Sequence, residues 1–135
     1  MPARTLADLL GLEPGADPAD AAKAGLPLSA LDAVTEAFGF TPVEIERAVV
    51  PRRTVARKRP RGQRLGADES ARLVRLARVA LRAQEKLGSV AEAVAWLRQR
   101  NRTLQGHLPL EMLDTDNGAR MVEAVLGRVD AGVAP

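Results

Sequence analysis

Eight basic side chains crowd between residues 41 and 65: Arg47, Arg52, Arg53, Arg57, Lys58, Arg59, Arg61 and Arg64, against only Glu44 and Glu46. Such a surplus attracts phosphates, and an Arg aimed at a guanine edge can donate two parallel hydrogen bonds. Charge alone suits DNA, RNA or a solvated surface. The local pattern narrows the choice. Thr41-Pro42-Val43-Glu44 sets a hydroxyl cap, a proline at the first helical position and a capping-box glutamate in register. Ile45, Ala48 and Val49 supply a buried side, Pro51 interrupts, and residues 52–58 have the length of one more short helix. Two short helices joined by a tight turn form a helix-turn-helix unit, so residues 41–64 favour double-stranded DNA. Arg52, Arg53 and Arg57 are the candidate base readers. Lys58, Arg59, Arg61 and Arg64 flank or occupy a basic turn or wing-like loop over residues 59–66 and suit phosphates. Thr54 suits either a DNA contact or support of the turn.

Other chemistries find few donors. The chain has no Cys, so disulfides and thiolate nucleophiles are excluded. His107 is the only imidazole and no nucleophile signature accompanies it, while Asp114 and Asp116 read as helix caps. No Gly-rich phosphate cradle and no metal-ligand cluster appears, so neither enzyme activity, cofactor nor metal is expected. Phe38, Phe40 and Trp96 are the only aromatics, which argues against stacking platforms for single strands. No apolar run approaches the roughly 20 residues of a membrane span, and a soluble, cytoplasmic protein is expected.

The elements that must position these residues are helical. Residues 5–10 form a short apolar-faced turn ended by Gly11, and residues 13–23, with Pro14, Gly15 and Pro18, read as a mobile loop. A helix begins near Ser29, carries Leu31, Val34 and Phe38 at helical spacing, and ends at Gly39. Residues 68–87 keep a helical period for about five turns, with Leu73, Leu76, Ala80 and Leu87 near one stripe. Ser89 and Glu92 repeat the capping-box pattern before Val90, Val94 and Leu97, with Trp96 packing at the edge of that face. Residues 101–107 read as a loop, and Pro109 opens a short helix through Leu113. Asp114, Thr115 or Asp116 caps a last helix whose apolar side is Met121, Val122, Val125 and Leu126.

The fold class is therefore all-α: an N-terminal arm (1–25), a helix-turn-helix core (26–66), a long central helix (67–88) and a small C-terminal helical domain (89–135). Net charge divides along these lines. Residues 1–40 carry two basic against six acidic side chains, and residues 89–135 five against six. Only the middle of the chain presents a phosphate-attracting field.

The run Asn101-Arg102-Thr103-Leu104-Gln105-Gly106-His107-Leu108-Pro109-Leu110-Glu111-Met112-Leu113-Asp114-Thr115, preceded by Trp96-Leu97, resembles the toxin-binding domain of the Xre/MbcA/ParS antitoxins. So does its continuation, Gly118-Ala119-Arg120, Val122, Leu126-Gly127-Arg128-Val129 and Gly132. Upstream, the helix-turn-helix candidate followed by a long helix is similar in order to Xre-like antitoxins paired with RES-domain toxins. Met112 stands where the family motif often has leucine. The resemblance implies an antitoxin that occludes the active site of a NAD-consuming RES-domain toxin. It also implies repression of its own operon at promoter DNA, by a homodimer within a larger toxin–antitoxin complex. The candidate toxin-binding residues are Asn101, Arg102, Leu113, Arg120, Met121, Val125 and Arg128. Arg120 and Arg128 suit an interface or a solvated helix surface; Asn101 and Arg102 suit a partner contact or a loop-fixing role. Leu113, Met121 and Val125 combine core packing with partner contact. The rival reading is a stand-alone helix-turn-helix regulator whose C-terminal domain dimerises or binds another protein.

Overall fold

The computed structural model describes residues 4–129, and these form eight α-helices without a strand. In chain order they are α1 (Leu6–Leu10), α2 (Pro18–Ala24), α3 (Leu28–Phe38), α4 (Pro42–Ala48), α5 (Arg52–Lys58), α6 (Ala67–Leu87), α7 (Val90–Leu97) and α8 (Asp116–Gly127). Short 3-10 turns occupy Arg59–Arg61, Arg102–Leu104 and Pro109–Asp114.

Local chemistry accounts for most helix ends. Thr5 and Thr41 each close a reciprocal capping box, with Asp8 and Glu44 respectively. Ser89 makes half of one: its hydroxyl accepts from the Glu92 N–H at 3.1 Å. Thr115 caps α8 by accepting from Gly118 N–H at 3.0 Å. Gly118 is itself constrained, because an added Cβ would collide with the Met112 carbonyl oxygen. The 109–114 turn and α8 can approach this closely only with glycine there.

The long helix α6 is the spine. Leu73, Ala77, Val79, Ala80 and Ala83 are fully buried, because α6 packs α1, α2, α3 and α4 as well as α7 and α8. Its run of alanines lets neighbouring helices approach, while Leu73 and Leu76 fill the space between them. One apolar core results. It runs from Leu9, Leu10 and Leu26 through Val34 and Leu76 to Leu97, Leu113 and Leu126.

One reading of the sequence requires correction. Residues 13–23 are not a loop throughout: Asp17 accepts from Ala19 N–H at 2.9 Å and starts α2, whose Pro18 sits at the first helical position. A proline that signals a break in mid-chain is here a helix start. The described part of the N-terminal arm packs into the core through Leu9, Leu10 and Ala22. Of the two readings of residues 59–66 the structure has the turn: Arg59–Arg61 form one 3-10 turn, and Leu65 is buried with its N–H on the Leu26 carbonyl at 2.9 Å.

Candidate functional site

The turn between α4 and α5 is fixed from inside. Val49 and Val50 are buried, and both of their N–H groups bond the Ile45 carbonyl. From α6, the Arg72 guanidinium donates to the Val49 carbonyl at 2.9 Å. Pro51 precedes α5 without offering a side-chain cap. The Glu46 carboxylate takes that role, accepting the Arg52 N–H at 3.1 Å.

A seven-residue helix is too short to hold itself, so tertiary contacts must fix α5. Thr54 is buried and Val55 half-buried on its inner side. Lys58 closes the C-terminal end: its ammonium donates to the Arg64 carbonyl at 2.9 Å and pairs with Glu69 at 3.5 Å. With 16% and 18% of their side chains exposed, Lys58 and Glu69 are largely withdrawn from solvent. Arg59 forms a two-pronged pair with Asp32 of α3 at 2.9 and 3.0 Å, and these hydrogen bonds raise its already high pKa. Arg64 donates to the Gly25 carbonyl at 3.2 Å.

The eight candidates for nucleic-acid contact therefore separate. Thr54 supports the helix from below. Lys58, Arg59 and Arg64 are engaged by the protein itself. Arg52 is exposed, with Glu46 3.6 Å from its guanidinium. Arg53, Arg57 and Arg61 are exposed and have no ion-pair or hydrogen-bond partner among the described residues. Arg53 and Arg57 stand one helical turn apart, and the exposed Ala56 beside them leaves room for close approach. The pairing partners lie on other elements, so periodicity could not have distinguished clamping from free cations.

At the other end, α8 turns Val122, Val125 and Leu126 into the core. Its outward side carries Asn117, Arg120, Met121, Ala124 and Arg128, all exposed. Met121 is 40% exposed, one of only two large apolar side chains so open among the described residues. Arg120 and Arg128 have no charged partner there, whereas Glu123 is turned aside to pair with Arg78 at 2.7 Å. Of the remaining C-terminal candidates, Leu113 and Val125 are covered by the chain's own core and present no surface to a partner. Asn101 is buried too. Its side chain caps the 102–104 turn by accepting Thr103 N–H at 2.9 Å, and its backbone pairs with His107 in an isolated antiparallel bridge. Asn101 thus fixes the loop, while Arg102 projects from it into solvent.

One pair that sequence reasoning did not single out joins these regions. Arg98, just past α7, donates to both carboxylate oxygens of Glu44 on α4 at 2.8 and 2.9 Å, and to the Gly39 carbonyl at 3.1 Å. The Arg98 hydrogen bond, opposed by partial burial and aided by the Thr41 amide, holds the Glu44 carboxyl below the ordinary glutamate range. Among the described residues no cluster could hold a metal ion, and no helix is long and apolar enough to cross a membrane.

These features define a helix-turn-helix protein with a second helical module built onto the same spine. Residues 17–78 match the antitoxin Xre-like helix-turn-helix domain, and residues 82–132 match the antitoxin Xre/MbcA/ParS C-terminal toxin-binding domain. Neither is an enzyme domain. The chain is also similar to three curated proteins called Antitoxin Xre. That of Pseudomonas putida is 34% identical over 99 residues, covering 73% of this chain and 62% of the relative. That of Photorhabdus laumondii is 32% identical over 111 residues, 81% and 75% of the two chains. That of Yersinia enterocolitica is 29% identical over 116 residues, 84% and 78%. The chain belongs to the Xre antitoxin family. It spans just under two thirds of the P. putida relative's length.

Proposed function

We propose that this chain is an antitoxin that captures a cognate toxin through the outer face of α8 and represses its own promoter through α5. The observation carrying this reading is a pair of exposed surfaces on one core: the unpaired Arg53, Arg57 and Arg61 at one place, and the exposed Met121 with the unpaired Arg120 and Arg128 at another. Arg53 and Arg57 read base edges in the major groove, Ala56 admits the helix, and Arg52 and Arg61 contact phosphates. Lys58, Arg59 and Arg64 act from behind, by holding α5 at its angle. On the toxin side, Met121 is the apolar anchor and Arg120, Arg128 and Arg102 meet acceptors around it.

The partner is a RES-domain, NAD-consuming toxin, neutralised in the cytoplasm by covering its active site rather than by any turnover. The antitoxin works as a homodimer, since two reading helices match a repeated operator half-site. The test is co-expression with the toxin encoded beside it, followed by copurification and a growth assay. A stable complex and restored growth are expected. A toxin that neither copurifies nor loses toxicity would overturn the antitoxin reading.

A further inference from the structure

The two domain matches meet inside α6, between residues 78 and 82, in the middle of one continuous helix. No linker separates them. The C-terminal module instead reaches back to the first helix of the helix-turn-helix pair. Arg98 spans 54 residues of sequence to Glu44 and 59 to the Gly39 carbonyl, so one guanidinium grips both the end of α3 and the first turn of α4. Glu44 serves two masters: it accepts the Thr41 N–H at 2.8 Å to start α4, and it accepts Arg98. Beside this pair, Arg47 of α4 faces Glu111 of the 109–114 turn at 3.8 Å. The same turn packs along α4, and Leu110 is buried there.

A two-pronged Arg–carboxylate contact fixes orientation as well as distance, which a lysine cannot reproduce. From these contacts we infer that Arg98 is a positioning residue for DNA reading: the toxin-binding module sets the attitude of α4, and through the 49–51 turn that of α5. This rests on the proposed role of α5 as the reading helix. It goes further in making the DNA-binding half dependent on a side chain of the other half that touches no DNA. A toxin seated on the C-terminal module would then be felt at the promoter through this seam.

The experiment uses the full chain as wild type, Arg98→Ala, Arg98→Lys, Glu44→Gln and the Arg98→Ala/Glu44→Gln double variant. Three quantities are read: affinity for the chain's own upstream promoter against scrambled duplex, amide hydrogen exchange, and copurification with the adjacent toxin. Arg98→Ala should weaken promoter binding about fivefold, and Arg98→Lys should restore little of it. Exchange should quicken in residues 40–58 while α6 and α8 keep their protection, and toxin capture should persist. The double variant should lose clearly less than the sum of the two singles, as expected for partners in one contact, and additive losses would overturn the coupling. Wild-type exchange over residues 40–58 in Arg98→Ala would overturn the inference, and so would faster exchange spread evenly over the chain. Should wild type itself fail to distinguish promoter from scrambled DNA, the operator reading falls. The exchange measurement still decides whether Arg98 sets α4.

Discussion

The outer sides of α5 and α8 are both basic, yet the two helices come by their exposed cations differently. On α5 and the turn that follows it, contacts consume part of the charge: Lys58 and Arg59 are tied to Glu69 and Asp32, Arg52 lies against Glu46, and Arg53, Arg57 and Arg61 stay free. On α8, a twelve-residue helix with its own Thr115 cap, the apolar side does the anchoring, and the outward Arg120 and Arg128 side chains have no charged partner among the described residues. A dense charge run is thus a poor guide to which cations are available, whereas a well-anchored amphipathic helix exposes its candidate contact residues directly. The comparison also separates side chains that look equivalent in sequence, such as Arg57 and Arg59, or Met121 and Val125.

The sharpest way to break it is at the boundary of face and core. Leu113→Ala removes a fully buried side chain and should cost about 2–5 kcal/mol in denaturant unfolding. Met121→Ala should leave stability within about 0.5 kcal/mol while weakening toxin capture. Equal losses of stability would abolish the distinction. Gly118→Ala should follow close behind Leu113→Ala, destabilising by about 1–3 kcal/mol because the new methyl meets the Met112 carbonyl.

Next in size come the arginines of α5. Arg53→Ala or Arg57→Ala should each cost about 1–3 kcal/mol of discrimination between promoter and scrambled duplex, measured by competition binding. Melting temperature should scarcely move. Arg59→Ala should instead lower stability by no more than about 1 kcal/mol, because its pair with Asp32 is exposed. A loss of sequence preference in Arg59→Ala as large as in Arg57→Ala would merge the two classes.

The smallest effect is a pH dependence at the seam. Glu44 has a lowered folded pKa, so its stabilisation is fully present above the unfolded value of about 4.3 and disappears as pH falls through the folded value. Arg47, Arg98 and Glu111 are the charged groups that line the same depression as Glu44. Stability profiles of wild type and Arg98→Ala should therefore differ by a constant amount at neutral pH and converge on acidification. A difference that widens in acid would contradict the assignment.

Much of this fold was legible from caps and periodicity: Thr41 and Glu44 announce α4, and the 68–87 stripe announces the spine. Pro18 misled because a proline carries the same local signature at a helix start as in a loop; the Asp17 cap before it and the burial of Ala22 one turn on decide for the helix. The candidate site was half legible. Its cations could be named, but their sorting depends on Asp32, Glu69 and the Gly25 carbonyl, which lie on other elements. Asn101 and Leu113 were drawn toward the partner because their motif is specific, yet a specific motif also records how a loop closes and a core fills. Arg98 gave no signal at all, since its partners are 54 and 59 residues away.

The central claim is that one core carries two separable faces, and a crossed assay tests it most directly. Arg53→Ala/Arg57→Ala and Arg120→Ala/Met121→Ala variants would each be co-expressed with the adjacent toxin, and capture measured alongside promoter binding of the antitoxin alone. The first variant should capture toxin like wild type and lose promoter preference; the second should bind promoter like wild type and lose the toxin. Both functions failing together in either variant, with the fold intact by circular dichroism, would contradict the account.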